Sequence, residues 1–205
     1  MGRDSITAVL EIRDAQPSDA GDIAAVHVGS WQVAYRGLLP DHILAELSVP
    51  DRERTWRNIL TDPPRRTAVL LATCGATVVG FAAVGPDRGS TAAPDRGELY
   101  AIYLRPDQQR RGIGTQLHNA AIDRLCDLGY TSASLWVLDG NEAAIGFYHR
   151  NGWAADGTRG STRGLGILTS LSCASSARCG RSDPTWRHIG VYLGSETPIC
   201  LHVGV

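Results

Sequence analysis

The loop Gln109-Arg110-Arg111-Gly112-Ile113-Gly114-Thr115 constrains this chain more than any other stretch. It follows a strand-like apolar run at residues 99–104 and opens a helix-like run at residues 115–128. Backbone N–H groups in a first helical turn have no internal partner, and the helix dipole adds roughly half a positive charge there. Gly112 and Gly114 carry no side chain that would keep an anion from the backbone, and both tolerate positive φ. Arg110 and Arg111 supply fixed charges that fork onto phosphate oxygens. Strand, glycine-arginine loop and helix start together read as a phosphate pocket.

Other glycine loops fit less well. A dinucleotide fingerprint needs a third glycine where this chain has Leu117. A Walker loop needs Gly-Lys-Ser/Thr, and the chain has no lysine, all 20 of its basic residues being arginine. A tight strand-to-helix turn with two solvated arginines is the plain structural alternative.

A second segment narrows the choice. Residues 132–138 alternate and are rich in β formers, so they read as a strand. Asn141-Glu142-Ala143-Ala144-Ile145-Gly146-Phe147-Tyr148-His149-Arg150-Asn151-Gly152-Trp153 then reads as a helix with an Asp139 or Asn141 cap and Gly152 past its end. The first loop, Gln109-x-x-Gly112-x-Gly114, resembles the acyl-CoA pyrophosphate loop of the GNAT family of N-acetyltransferases. The second segment is similar to that family's Asn-x-x-Ala-x-x-Phe-Tyr-x-x-x-Gly-Phe helix, with Trp153 in the last place. The resemblance covers about residues 10–158.

The resemblance implies a three-layer α/β fold: a mixed, mostly antiparallel sheet, helices on both faces, and a splayed pair of central strands. It implies acetyl-CoA as co-substrate, held by Gln109, Arg110, Arg111, Gly112, Ile113, Gly114 and Thr115, by backbone groups of Ile102, Tyr103 and Leu104, and by Asn141. It places the thiolate's proton donor at Tyr148 and the acceptor-site wall at Trp31 and Tyr35, although two aromatics four apart also suit a buried helix face. Glu98, at the start of the phosphate-loop strand, stands where such enzymes often carry a catalytic carboxylate; Asp95 and Glu46 are weaker candidates. The acceptor is then a small-molecule amine or a protein N-terminus, and a homodimer stays open.

The chemistry explains the need for a base. An amine of pKa about 10.4 is neutral about once in 2500 molecules at pH 7, a cost of about 4.6 kcal/mol. The leaving thiolate, of ordinary pKa about 8.5, gains from a donated hydrogen bond. No Ser-His-Asp or Cys-His pattern points to an acyl-enzyme, so direct attack in a ternary complex is expected. A non-catalytic acyl-CoA sensor on the same fold, or a poorly active member with an altered C-terminus, would also keep the loop.

Bulk properties agree with a single α/β domain. A net charge of −1 gives no argument for nucleic acid, no apolar run is long enough to span a membrane, and no leader-like segment opens the chain, so a cytoplasmic location is expected. The five cysteines form no C-x-x-C pair, which argues against zinc and for reduced thiols. Strands are expected near residues 10–13, 69–72 and 77–84, and helices from Pro17 and near 41–47 and 51–60. Strands and helices segregate, an α+β pattern.

Periodicity weakens after residue 158. The resemblance implies two more strands; residues 153–156 suit the first, and residues 165–171 make a poor version of the second. The expected division is an acetyltransferase domain at 10–173 and a Gly-, Ser- and Cys-rich tail at 174–205.

Overall fold

The computed structural model describes residues 9–89, 93–162 and 166–174. The expected tail lies outside these residues, apart from Ala174.

The elements run β1 (Leu10–Asp14), α1 (Ala20–Ala34), α2 (Asp41–Ala45), α3 (Val49–Thr61), β2 (Ala68–Cys74), β3 (Thr77–Pro86), β4 (Arg96–Leu104), α4 (Ile113–Asp127), β5 (Ser132–Leu138), α5 (Glu142–Arg150), β6 (Ala154–Thr162) and β7 (Gly166–Ala174). Local signals account for most boundaries. Pro17 opens a short 3-10 turn into α1, and Ser48 caps α3 by accepting from the Asp51 N–H, with Pro50 in the first turn. Gly75 at φ +60° turns the β2–β3 hairpin. Asp19 accepts two hydrogen bonds of 2.8 Å from the Arg13 guanidinium, which fixes the start of α1 against β1.

The seven strands form one sheet in the order β1-β2-β3-β4-β5-β7-β6. Every neighbouring pair is antiparallel except β4 and β5. One core layer joins α4 and α5 to the sheet through residues such as Leu99, Ile102, Leu117, Leu135 and Tyr148. The opposite layer holds α1, α2 and α3 through Ile23, Trp31, Tyr35, Leu44, Trp56, Phe81 and Tyr103. This is the three-layer arrangement that the resemblance implies.

The last two strands are more complete than their sequence suggests. β7 pairs with the whole length of β5, Ser132 with Ala174 through Leu138 with Leu168, and β6 closes the edge. Their pattern is obscured by an irregularity between Ala155 and Arg159, where Gly157 takes φ +82° and Asp156 Oδ1 accepts from the Thr158 N–H. Cys74 and Cys173 are free thiols.

Candidate active site

The central parallel pair is short. β4 and β5 pair only at Arg96–Ser132, Gly97–Ala133 and Glu98–Ser134. Beyond Glu98 the two strands part, and their carboxyl ends lead to the Gln109–Thr115 loop and to the α5 N-terminus. A wedge with its apex at Glu98 and Ser134 therefore opens toward both sequence motifs. Opposite β3, the register slips between Ala83 and Val84: Val84 faces Leu99 and Ala83 faces Ala101, so Tyr100 is the extra residue of a bulge. The backbone groups of Ile102, Tyr103 and Leu104 follow directly after this bulge.

At the wedge mouth the loop has the geometry of an anion cradle. Arg110 at φ +59° and Gly112 at φ +77° both take left-handed backbone, and Gly112 is the N-cap of α4 with no side-chain cap. A Cβ on Gly112 would meet no atom within 4 Å, so the glycine answers the backbone angle and leaves open space over the helix start. The α4 ladder begins with the Gln116 N–H donating to the Gly112 carbonyl, which leaves the N–H groups of Ile113, Gly114 and Thr115 for a ligand. Arg110 and Arg111 are exposed beside them, with Gln109 half-buried. Asn141 uses its Oδ1 to cap α5, accepting from the Ala144 N–H at 3.2 Å. The Leu104 carbonyl accepts from Ser30 Oγ at 2.8 Å, so α1 braces the end of β4.

Tyr148 is fully buried, and its Oη has no hydrogen-bond partner among the described residues. Burial pushes its phenol well above the usual tyrosine range, and the neighbouring Tyr103 adds to this. Tyr148 belongs to the α4–α5 layer and Tyr103 to the α1–α3 layer, so the two aromatics flank the sheet from opposite sides. Tyr103 accepts from Trp31 Nε1 at 2.8 Å and hydrogen-bonds Tyr35, whose own phenol is raised chiefly by burial. Trp31 and Tyr35 are thus fully packed, edge to face at 5.0 Å, behind Tyr103.

Behind them stands His27, stacked on Tyr103 at 5.1 Å. Its Nδ1 accepts from Trp56 Nε1 at 3.2 Å, while Nε2 has no partner among the described residues. Burial, helped by the Arg52 charge, lowers its pKa to about 3, so the ring is neutral.

Glu98 shares a face of β4 with Tyr100, on the α1–α3 side. Its carboxylate is 1% exposed and is forked by Arg88: Nη2 donates to Oε1 at 2.5 Å, and Nε and the backbone N–H donate to Oε2 at 3.2 and 3.0 Å. The same guanidinium lies 4.1 Å above the Tyr100 ring. Asp95 and Glu46 stand apart: Asp95 bonds Thr131, and Glu46 ends α2. Sequence reading misses Arg88, His27 as a polar group, and His118, which accepts from Trp153 Nε1 at 2.8 Å and ties the turn after α5 to α4. Only the Trp153 place in the second motif hints at that last contact.

A family model described as the acetyltransferase (GNAT) family matches residues 31–153, more than half of the chain. The chain belongs to the GNAT family and is an acyltransferase. An uncharacterized N-acetyltransferase of Bacillus subtilis is 34% identical over 140 residues, covering 68% of this chain and 78% of that one. Among solved structures, the PaiA N-acetyltransferase of Thermoplasma acidophilum in complex with coenzyme A aligns with TM-score 0.61 at 20% identity, covering 79% of this GNAT chain and 98% of that one. A putative acetyltransferase of Salmonella typhimurium, with its cofactor acetyl-CoA, gives 0.61 at 19% identity and coverages of 81% and 94%. At such identities the likeness establishes the shared fold. No helix among the described residues is long and apolar enough to cross a membrane.

Proposed function

We propose that this GNAT protein moves an acetyl group from acetyl-CoA to a primary amine by direct attack in a ternary complex. The observation that carries the reading is the fully buried Tyr148 hydroxyl, which has no partner among the described residues, beside strands that part at Glu98. A buried hydroxyl without a partner is unfavourable unless a ligand completes it. Acetyl-CoA supplies an activated thioester and a pyrophosphate. The N–H groups of Ile113, Gly114 and Thr115, with Arg110 and Arg111, hold the pyrophosphate. Open-edge backbone of Ile102, Tyr103 and Leu104, with Asn141, orients the arm. Trp31 and Tyr35 act through Tyr103, setting the wall against which the acceptor lies.

Glu98 takes the proton from the acceptor ammonium, freeing the lone pair that forms the C–N bond. As the C–S bond breaks, Tyr148 gives its proton to the sulfur; the second amine proton, lost from the tetrahedral adduct, restores the Tyr148 phenol, and Glu98 returns its proton to solvent. The raised pKa of Tyr148 keeps its proton in place until negative charge develops on the sulfur. A thiol-release assay with acetyl-CoA across alkylamines, amino acids, aminoglycosides and N-terminal peptides tests the reading. At least one amine should raise release well above hydrolysis. Tight acetyl-CoA binding with no amine-dependent release would instead establish a sensor.

A further inference from the structure

The Arg88–Glu98–Tyr100 cluster contains more than a structural ion pair needs. One guanidinium both bonds a carboxylate that is 1% exposed and lies 4.1 Å over an aromatic face. Carboxylate below and ring beside is the chemistry that recognises an organic cation. Gly85 makes the arrangement fit: it pairs with Glu98 across β3–β4, and a Cβ there would come within 2.5 Å of the Tyr100 hydroxyl oxygen. The Tyr100 hydroxyl in turn donates to the Pro86 carbonyl at 2.7 Å, which fixes the ring independently of Arg88.

The two halves of the pair are held very differently. The Arg88 side chain is 38% exposed and has a solvent route; the Glu98 side chain has none. The Arg88 backbone N–H donates to Oε2 separately from the side chain, so the carboxylate keeps one donor when the guanidinium leaves. The backbone around Arg88 is anchored by its neighbour, since Asp87 accepts from the Gly89 N–H at 2.8 Å and pairs with Arg96. Release of the guanidinium breaks its two bonds to Glu98 and can leave the Arg88 backbone in place. What remains is a buried carboxylate that requires a cation. Glu98 is also the last residue paired to β5, so the cluster stands at the wedge apex.

We infer that Glu98 and Tyr100 form an organic-cation site which the Arg88 side chain occupies in cis, and that an aliphatic ammonium ligand binds by displacing it. Identifying that ligand as the acceptor rests on the acetyl-transfer reading; the site itself does not. Arg88 is then an internal competitor that limits access of weak amines to Glu98.

The test separates the two. Thermal melting of Arg88→Ala, without acetyl-CoA, is measured with ethylguanidinium, n-propylammonium, or sodium chloride at equal ionic strength. The inference expects a lowered Tm that both organic cations restore saturably and sodium does not. It expects no restoration in the Arg88→Ala/Glu98→Gln double variant. Restoration absent from the single variant, or equal in the double, overturns the site and leaves acetyl transfer untouched. If Arg88→Ala does not fold, Arg88→Lys decides, because a lysine cannot fork the carboxylate. The amine KM in Arg88→Lys should fall at least about five-fold with kcat little changed, whereas an unchanged or raised KM overturns the competitor role. Restoration by both cations without amine-dependent thiol release would keep the cation site and remove the transferase reading.

Discussion

Replacing Tyr148 by Phe should stabilise the protein without ligand and impair it as a catalyst. The Tyr148 ring packs edge to face against Phe147 at 5.5 Å and Trp153 at 5.9 Å, contacts that Phe keeps. The hydroxyl is buried and receives no hydrogen bond from the described residues. Burying such a group unpaired costs about 1–3 kcal/mol, and its removal leaves only a very small void. At roughly 2–4 °C per kcal/mol for a chain of this size, Tm should rise by about 2–12 °C. Amine-dependent thiol release at saturating acetyl-CoA should fall by about 10²-fold if the phenol supplies the proton to sulfur. Scanning calorimetry and single-turnover kinetics on one preparation measure both quantities. A fall in Tm would mean the hydroxyl already has a partner. A rise in Tm with wild-type turnover would return Tyr148 to the core and remove it from the mechanism.

Gly112→Asp should abolish acetyl-CoA binding measured by calorimetry, since it sets a carboxylate against the pyrophosphate at a φ +77° N-cap. Gly112→Ala, which meets only backbone strain of about 1–2 kcal/mol, should weaken binding without abolishing it. Glu98→Gln should lower turnover most at low pH and leave acetyl-CoA affinity unchanged, so an unaltered pH–rate profile would remove Glu98 from the mechanism. His27 predicts a pH dependence of stability. Its folded pKa of about 3 lies below the ordinary histidine value of 6.5, so as pH falls the unfolded chain takes the proton first. Stability is therefore complete above about pH 6.5 and is lost toward pH 3, by about 2–3 kcal/mol at pH 4.5. Urea midpoints at pH 7 and pH 4.5 should differ less in His27→Gln than in the parent protein.

The fold was legible where local pattern and tertiary role agree. Alternation in residues 132–138 and the cap at Asn141 gave β5 and α5 because one face of each is buried. β6 and β7 were hard to read because an Asx turn and a left-handed Gly157 break the period of two that would identify them. Gly112 could be read as part of a cradle because left-handed backbone restricts residue type. The Glu98–Arg88 fork could not, since a loop residue ten positions away leaves no periodic trace. Trp31 and Tyr35 suit a helix face, but their link to Tyr103 depends on α1 packing across β4, a contact between residues far apart in sequence. The bulge at Tyr100 is equally silent, being set by register with β3.

The three-residue pairing of β4 with β5 also bears on the order in which the molecule assembles. β1 to β4 form a meander of sequential hairpin partners apart from the crossover through α1 to α3, so their contacts can close as the chain emerges. β5 gains so little from β4 that its main partner is β7, whose residues come after α5 and β6. The sheet is then two mechanical pieces joined by a narrow hinge, and the second becomes secure only when the final strand slots between β5 and β6. A molecule seated in the wedge would span both pieces and act as the brace that the hydrogen-bond ladder omits.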